Sequence, residues 1–199
     1  MNELLPLLTY SLLMSSTPGP NNMMLTASGA NFGYRRTLPH ILGIGAGHGL
    51  QIFVTCLGLG ALFASHPVLH AVLRGVGALA MLYLAWQIAG SAVAAAALAR
   101  PLSFAQAAAF QFVNPKNWIK SITVASLFMP VGVGSAWGAL IVLLVTVAIN
   151  FPCVSMWALF GVAIRRRLTD PRRRQLFNLV MAGSLFVLAL WLLHDPNHG

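Results

Sequence analysis

Apolar residues in this chain come in long runs, not in the alternation of a half-buried strand or the narrow stripe of a soluble amphipathic helix. The runs are Leu4–Asn31, Ile41–Ala64, Leu69–Ala89, Ser103–Met129, Ala136–Ile164 and Leu176–Leu193. Each is near or above the roughly 20 residues that carry a helix across a bilayer. The pattern predicts an all-α membrane protein with six transmembrane helices.

Two of the runs are interrupted by residues that lipid alone does not explain. The first contains Ser15-Ser16-Thr17-Pro18-Gly19-Pro20-Asn21-Asn22, and the fourth contains Asn114-Pro115-Lys116-Asn117. Each proline removes a backbone donor and collides with the turn before it, so a regular helix opens there. Opened backbone at membrane depth persists only where protein buries it or a wet cavity meets it. Run four can also be read as an amphipathic segment followed by a short span beginning at Trp118. The matching position of the two interruptions favours one broken helix, so helices 1 and 4 are expected to break near the midplane.

An alanine-rich stretch followed by Arg100-Pro101 divides the chain into residues 1–90 and 103–199, with 91–102 as linker. Together they make one transmembrane domain of two three-helix repeats. Three spans is an odd number, so the second repeat is inverted relative to the first. Gly77-Ala78-Leu79 with Leu82-Tyr83-Leu84 pairs with Gly183-Ser184-Leu185 and Leu188-Ala189-Leu190 in this scheme. Interruptions at corresponding places in inverted halves point to a transporter site between them.

Composition narrows the class. Hydrophobic residues make up 58% of the 199 residues and charged ones 8%, far below the quarter usual in soluble domains. The net charge of +9 invites a nucleic-acid reading, but the arginines lie between apolar runs. Arg35 and Arg36, Arg100, and the Arg165–Arg174 cluster mark one side, and Ser65–Val68 and Pro130–Ser135 carry no Lys or Arg. Positive-inside bias then puts the arginine loops in the cytoplasm and both termini outside. The Arg165–Arg174 loop is expected to touch anionic lipid. Cys56 and Cys153 sit within apolar runs as small fillers, and no metal-ligand set, cofactor motif or catalytic triad is present.

The candidate substrate-binding residues are Thr17, Pro18, Gly19, Pro20, Asn21, Asn22, Asn114, Pro115, Lys116 and Asn117. Half-helices starting near Asn21 and near Asn117 would aim unpaired N–H groups at a carboxylate. Alternatively, these side chains only satisfy the opened backbone. Lys116 lies at membrane depth if run four is one span, and otherwise snorkels to the interface. His48, in a run where Gly43 and Gly47 allow close helix contact, either bonds a neighbouring helix or handles a proton. Gln51 and Asn150 are further candidates for lining a pathway. The three acids, Glu3, Asp170 and Asp195, are all at ends or in a loop, which leaves no carboxylate for cation coupling.

Thr17-Pro18-Gly19-Pro20-Asn21-Asn22, Gly33-Tyr34-Arg35, the glycine-rich second run, Gly77-Ala78 with Tyr83-Leu84, and Phe112-Val113-Asn114-Pro115-Lys116 together resemble the LysE/RhtB family of bacterial amino-acid exporters. The resemblance runs over nearly the whole chain. It implies secondary-active efflux of amino acids or close derivatives across the inner (plasma) membrane, with neutral substrates and a proton gradient. Many relatives carry an acid in the fifth span where this chain has Asn150, which argues against a cationic substrate. A passive channel for small polar solutes is the alternative. An intramembrane enzyme lacks an acid to complete His48, and a scaffold has only the arginine loop in its favour.

Overall fold

Pro20 and Pro115 each occupy the first position of a helix, where the missing N–H costs nothing and the fixed φ favours helix entry. They set the architecture, because each restarts a helix that has just ended. The computed structural model describes residues 4–59, 67–93, 100–130, 134–165 and 167–194. Along the chain run α1 (Leu4–Ser16), α2 (Pro20–Phe32), α3 (Tyr34–Val54), α4 (Pro67–Val93), α5 (Phe104–Val113), α6 (Pro115–Leu127), α7 (Ser135–Arg165) and α8 (Pro171–His194). A π-helical turn, Thr55–Leu59, extends α3, and Gly58 there has φ +117°, a region that favours glycine.

All regular structure among the described residues is helical. Among the described residues, three helices are long and apolar enough to cross a bilayer, Tyr34–Gly58, Ser135–Arg165 and Pro171–Trp191. Leu4–Ser16, Gly75–Ala89 and Phe104–Val113 are shorter apolar helices. The first interruption is at Thr17–Gly19, with Gly19 fully extended. The second is a single non-helical residue, Asn114, so α6 begins at Pro115, earlier than Asn117. Part of the 91–102 linker, along with Glu3, Asp195 and the 60–66 end of run two, lies outside the described residues.

The bundle is held by close backbone approach at glycines. A Cβ on Gly29 of α2 would overlap the Ala158 carbonyl of α7, and one on Gly161 of α7 would overlap the Thr26 carbonyl of α2. The expected Gly43 and Gly47 contact is with α5, where they meet the carbonyls of Phe104 and Ala108. Gly77 of α4 rests on the Val113 carbonyl beside the second break. Small residues at such crossings bring helices close where lipid offers no hydrophobic drive.

Three buried apolar clusters fill the spaces between crossings. One joins α2, α4, α5 and α8 through Met24, Met81, Phe110 and Leu185; a second joins α2, α3, α5 and α7 through Leu25, Ile44, Ala107 and Val154. The third is a compact layer of Leu7, Ile52, Val124 and Val142. Large apolar residues such as Leu5, Trp86, Val187 and Trp191 stay exposed on the outside, as a bilayer surface requires. Arg165 and Arg174 lie against Gly33 and Asn31, at the end of the bundle that also carries Arg35 and Arg36.

In α4, Ala78, Met81 and Ala85 are buried, and in α8, Ala182, Leu185 and Ala189 are buried with the same spacing. This match is two residues out of the register that pairs Gly77-Ala78-Leu79 with Gly183-Ser184-Leu185, and Leu79 is exposed where Leu185 is buried.

The crossings yield a paired prediction. Gly29→Val forces α2 from α7 and should destabilise the fold by about 1–3 kcal/mol or more, read as loss of monodisperse protein in detergent. Gly45→Ala meets nothing nearer than 3.9 Å and should unfold like the wild type. Equal behaviour of the two variants would contradict the packing described.

Candidate functional site

The end of α1 leaves carbonyls that no later turn of the same helix can pair. The chain accounts for three of the last four individually. Thr17 N–H donates to Leu13 O at 3.0 Å, and Thr17 Oγ1 donates to Met14 O at 3.1 Å. Asn22 Nδ2 reaches back to Ser15 O at 2.9 Å and Thr17 O at 2.8 Å. Lys116, arriving from α6, donates through Nζ to Thr17 O at 2.9 Å, Thr17 Oγ1 at 2.8 Å and Pro18 O at 3.1 Å. An ammonium against a helix C-terminus meets the negative end of its dipole. Gly19 leaves room for it, since a Cβ there would stand 2.9 Å from Lys116 Cδ and the lysine side chain would have to shift.

One turn further along α6, Lys120 is 3% exposed, and its Nζ donates to Ser15 Oγ at 2.8 Å. An ammonium has three donors, so this one bond leaves capacity for a ligand. Lys116 spends its three donors on the α1 terminus.

Amides link the two breaks on the other side. Asn21 Nδ2 donates to Gln111 Oε1 at 2.8 Å, and Gln111 Nε2 donates back to Asn21 Oδ1 at 3.3 Å and to Ala107 O at 2.7 Å. Asn117 Nδ2 also donates to Gln111 Oε1. Asn114 Oδ1 accepts from Lys116 N–H at 3.2 Å, so α6 caps its own start. No side chain caps α2, whose first turn therefore offers the stronger N-terminal anion site.

These groups surround a small cavity between the two breaks. Gly19, Pro20, Asn21, Asn22, Asn114, Lys116, Asn117 and Asn150 line it, together with Ser15 and Lys120. No acid is among the lining residues. Asn150 is buried with Nδ2 unpartnered, one residue pair before Pro152, whose ring leaves the Ala148 carbonyl without its helical donor. Thr17, Pro18 and Pro115 shape the breaks without lining the cavity.

His48 and Gln51 are elsewhere. Ser11, Ser121 and Thr146 lie one turn along their helices from Ser15, Asn117 and Asn150 of the cavity lining, and His48 lies one turn before Ile52 on α3. All four are buried and carry polar atoms without partners, as does Gln51 beside His48. The next turn outward is the apolar layer Leu7, Ile52, Val124 and Val142. Ser11, His48, Ser121 and Thr146 are thus each one turn from a residue of this apolar layer.

Sequence reasoning missed Gln111 and Ser15 as members of the site, and left Lys120 with the same ambiguity as Lys116 and weaker motif support. Lys120 is four residues after Lys116 and shares its helix face, which was the available signal.

Removing the bridge should weaken the fold. Lys116→Met leaves the Thr17 and Pro18 carbonyls without that donor and should cost about 1–3 kcal/mol, read as a lower thermal midpoint in micelles. Asn22→Ala should act in the same direction. A midpoint unchanged in both variants would contradict the capping role.

The model of the LysE type translocator family matches residues 12–196. Cysteine/O-acetylserine efflux proteins from Escherichia coli strain K12, E. coli O139:H28 and Shigella flexneri are each 33% identical to this chain over 185 residues, 92% of this chain and 93% of theirs. No solved structure matches. With nearly its whole length inside the match, the chain belongs to the LysE-type translocators, a transporter and not an enzyme.

Proposed function

We propose that the chain exports a small neutral amino acid or a close derivative, of the cysteine and O-acetylserine class named for its relatives, from the cytoplasm across a bacterial inner membrane. The observation that carries this is the acid-free cavity between the two breaks, with a partly spent Lys120 ammonium, the uncapped start of α2 and the free amide of Asn150. These are donors for a carboxylate, and nothing in the lining would hold a second, side-chain cation. Lysine or arginine would meet Lys116 and Lys120 without compensation.

In this reading the chain forms six spans in two inverted halves, 1–90 and 103–199, joined by 91–102. Support comes from the repeated order of a broken helix followed by two long ones, and from proline at the first position of both α2 and α6. Further support comes from the reciprocal packing of α1 on α7 and α5 on α3, with α4 on α8 and α3 on α7. The arginine end faces the cytoplasm and anionic lipid, with both termini periplasmic. Asn21, Asn22, Asn114 and Asn117 position the breaks around the ligand.

Alternating access then has a physical route. The Ser11, His48, Ser121 and Thr146 row is the outward path, and Leu7, Ile52, Val124 and Val142 close it. Unpartnered buried polar atoms are costly, so the row gains from the wetting that opening brings. His48 is placed to take a proton during that step and so couple export to the gradient.

Proteoliposomes loaded with labelled O-acetyl-L-serine test this. Unlabelled substrate on the opposite side should accelerate exchange, and an imposed pH gradient should drive net transport. His48→Gln should keep exchange and lose the response to the gradient. Efflux without trans-stimulation would replace the carrier with a passive channel.

A further inference from the structure

A second cavity lies among α2, α3, α4 and the Arg100–Leu102 segment. It shares no lining residue with the central cavity. Ser28 on its wall is seven residues along α2 from Asn21, about 10 Å at the helical rise, toward the arginine-bearing end.

The polar groups on this wall divide into satisfied and unsatisfied. Asn31 Nδ2 donates to Ala27 O at 2.8 Å and to Asn178 Oδ1 at 3.1 Å, and its Oδ1 accepts from Arg174 Nε at 3.2 Å. Ser28 pairs with Thr37 at 2.8 Å. His40 differs: it is 2% exposed, lines the cavity, and neither ring nitrogen has a partner. Burying an imidazole in that state costs free energy that a ligand can return. Arg100 also lines this cavity, and no acid is among the lining residues. Met24, Leu84 and Ile88 supply an apolar floor.

We infer that this cavity is a second ligand site, in which His40 and Arg100 hold the carboxylate of a small solute whose apolar, thiol or ester body lies on Met24, Leu84 and Ile88. A neutral imidazole gives one N–H donor, and a guanidinium gives a planar fork that matches two carboxylate oxygens. The solute class is taken from the transport reading above, and on that reading the cavity stands where an exported solute first meets the protein. Its recognition chemistry does not depend on Lys120 or on the central cavity.

The test is NMR of purified, ¹⁵N-histidine-labelled protein in micelles, titrated with O-acetyl-L-serine. The His40 ring signals are assigned by their absence in His40→Gln. They should shift saturably in the wild type and in Lys120→Met, which disables the central cavity. Arg100→Gln should raise the half-saturating concentration at least about ten-fold, with Arg100→Lys in between and the His48 signals unchanged as a check on the fold. His40 signals that do not move overturn the site. A shift lost in Lys120→Met, or kept at the wild-type concentration in Arg100→Gln, also overturns it, because it would then report occupancy of the central cavity or binding without Arg100. Failure of transport with the His40 shift intact would overturn only the transport reading.

Discussion

The structure depends on one bridge, from Lys116 of α6 to the exposed end of α1. A helix that stops inside a bilayer leaves carbonyls with no water to meet them, and each one unpaired costs several kcal/mol. Lys116 Nζ meets three acceptors there, at Thr17 and Pro18, and Asn22 meets Ser15 and Thr17 from the other direction. The same contact does two things. It makes an open helix end tolerable, and it fixes the second break opposite the first. The Asn21, Gln111 and Asn117 amides join the two breaks on the other side.

That geometry leaves a division of labour between two lysines that their sequence positions do not separate. Lys116 is used up by structure, and Lys120, buried and bonded only to Ser15, keeps donors in reserve. A buried ammonium without a carboxylate is an incomplete arrangement. On the proposed function an arriving anion completes it, and an amino acid brings one on every molecule. Beyond it Ser11, His48, Ser121 and Thr146 also carry buried polar atoms without partners, next to the apolar layer of Leu7, Ile52, Val124 and Val142.

The breaks were legible because proline, glycine and asparagine act locally, whatever lies across from them. The Gly43 and Gly47 contact was legible for the same reason, as a spacing on one helix. What could not be read was whatever depends on the opposite partner. Gly29 is unremarkable in its run until Ala158 comes against it. Gln111 sits between two phenylalanines and looks like a stray amide until Asn21 and Asn117 converge on it. Which of the two helix N-termini is capped was not legible either: Asn114 caps α6 with its own side chain while α2 has no side-chain cap. The Arg165–Arg174 stretch is shorter as a loop than it reads, because Asp170 and Pro171 start α8 and carry Arg172–Arg174 into its first turn.

The central claim is that the cavity recognises a carboxylate through Lys120, with no acid to read a side-chain charge. Competition of L-cysteine and cysteamine against labelled O-acetyl-L-serine exchange tests it most directly, because cysteamine is cysteine without its carboxylate. L-cysteine should compete and cysteamine should not, and Lys120→Met should abolish the difference. Equal competition by cysteamine in the wild type would contradict the account.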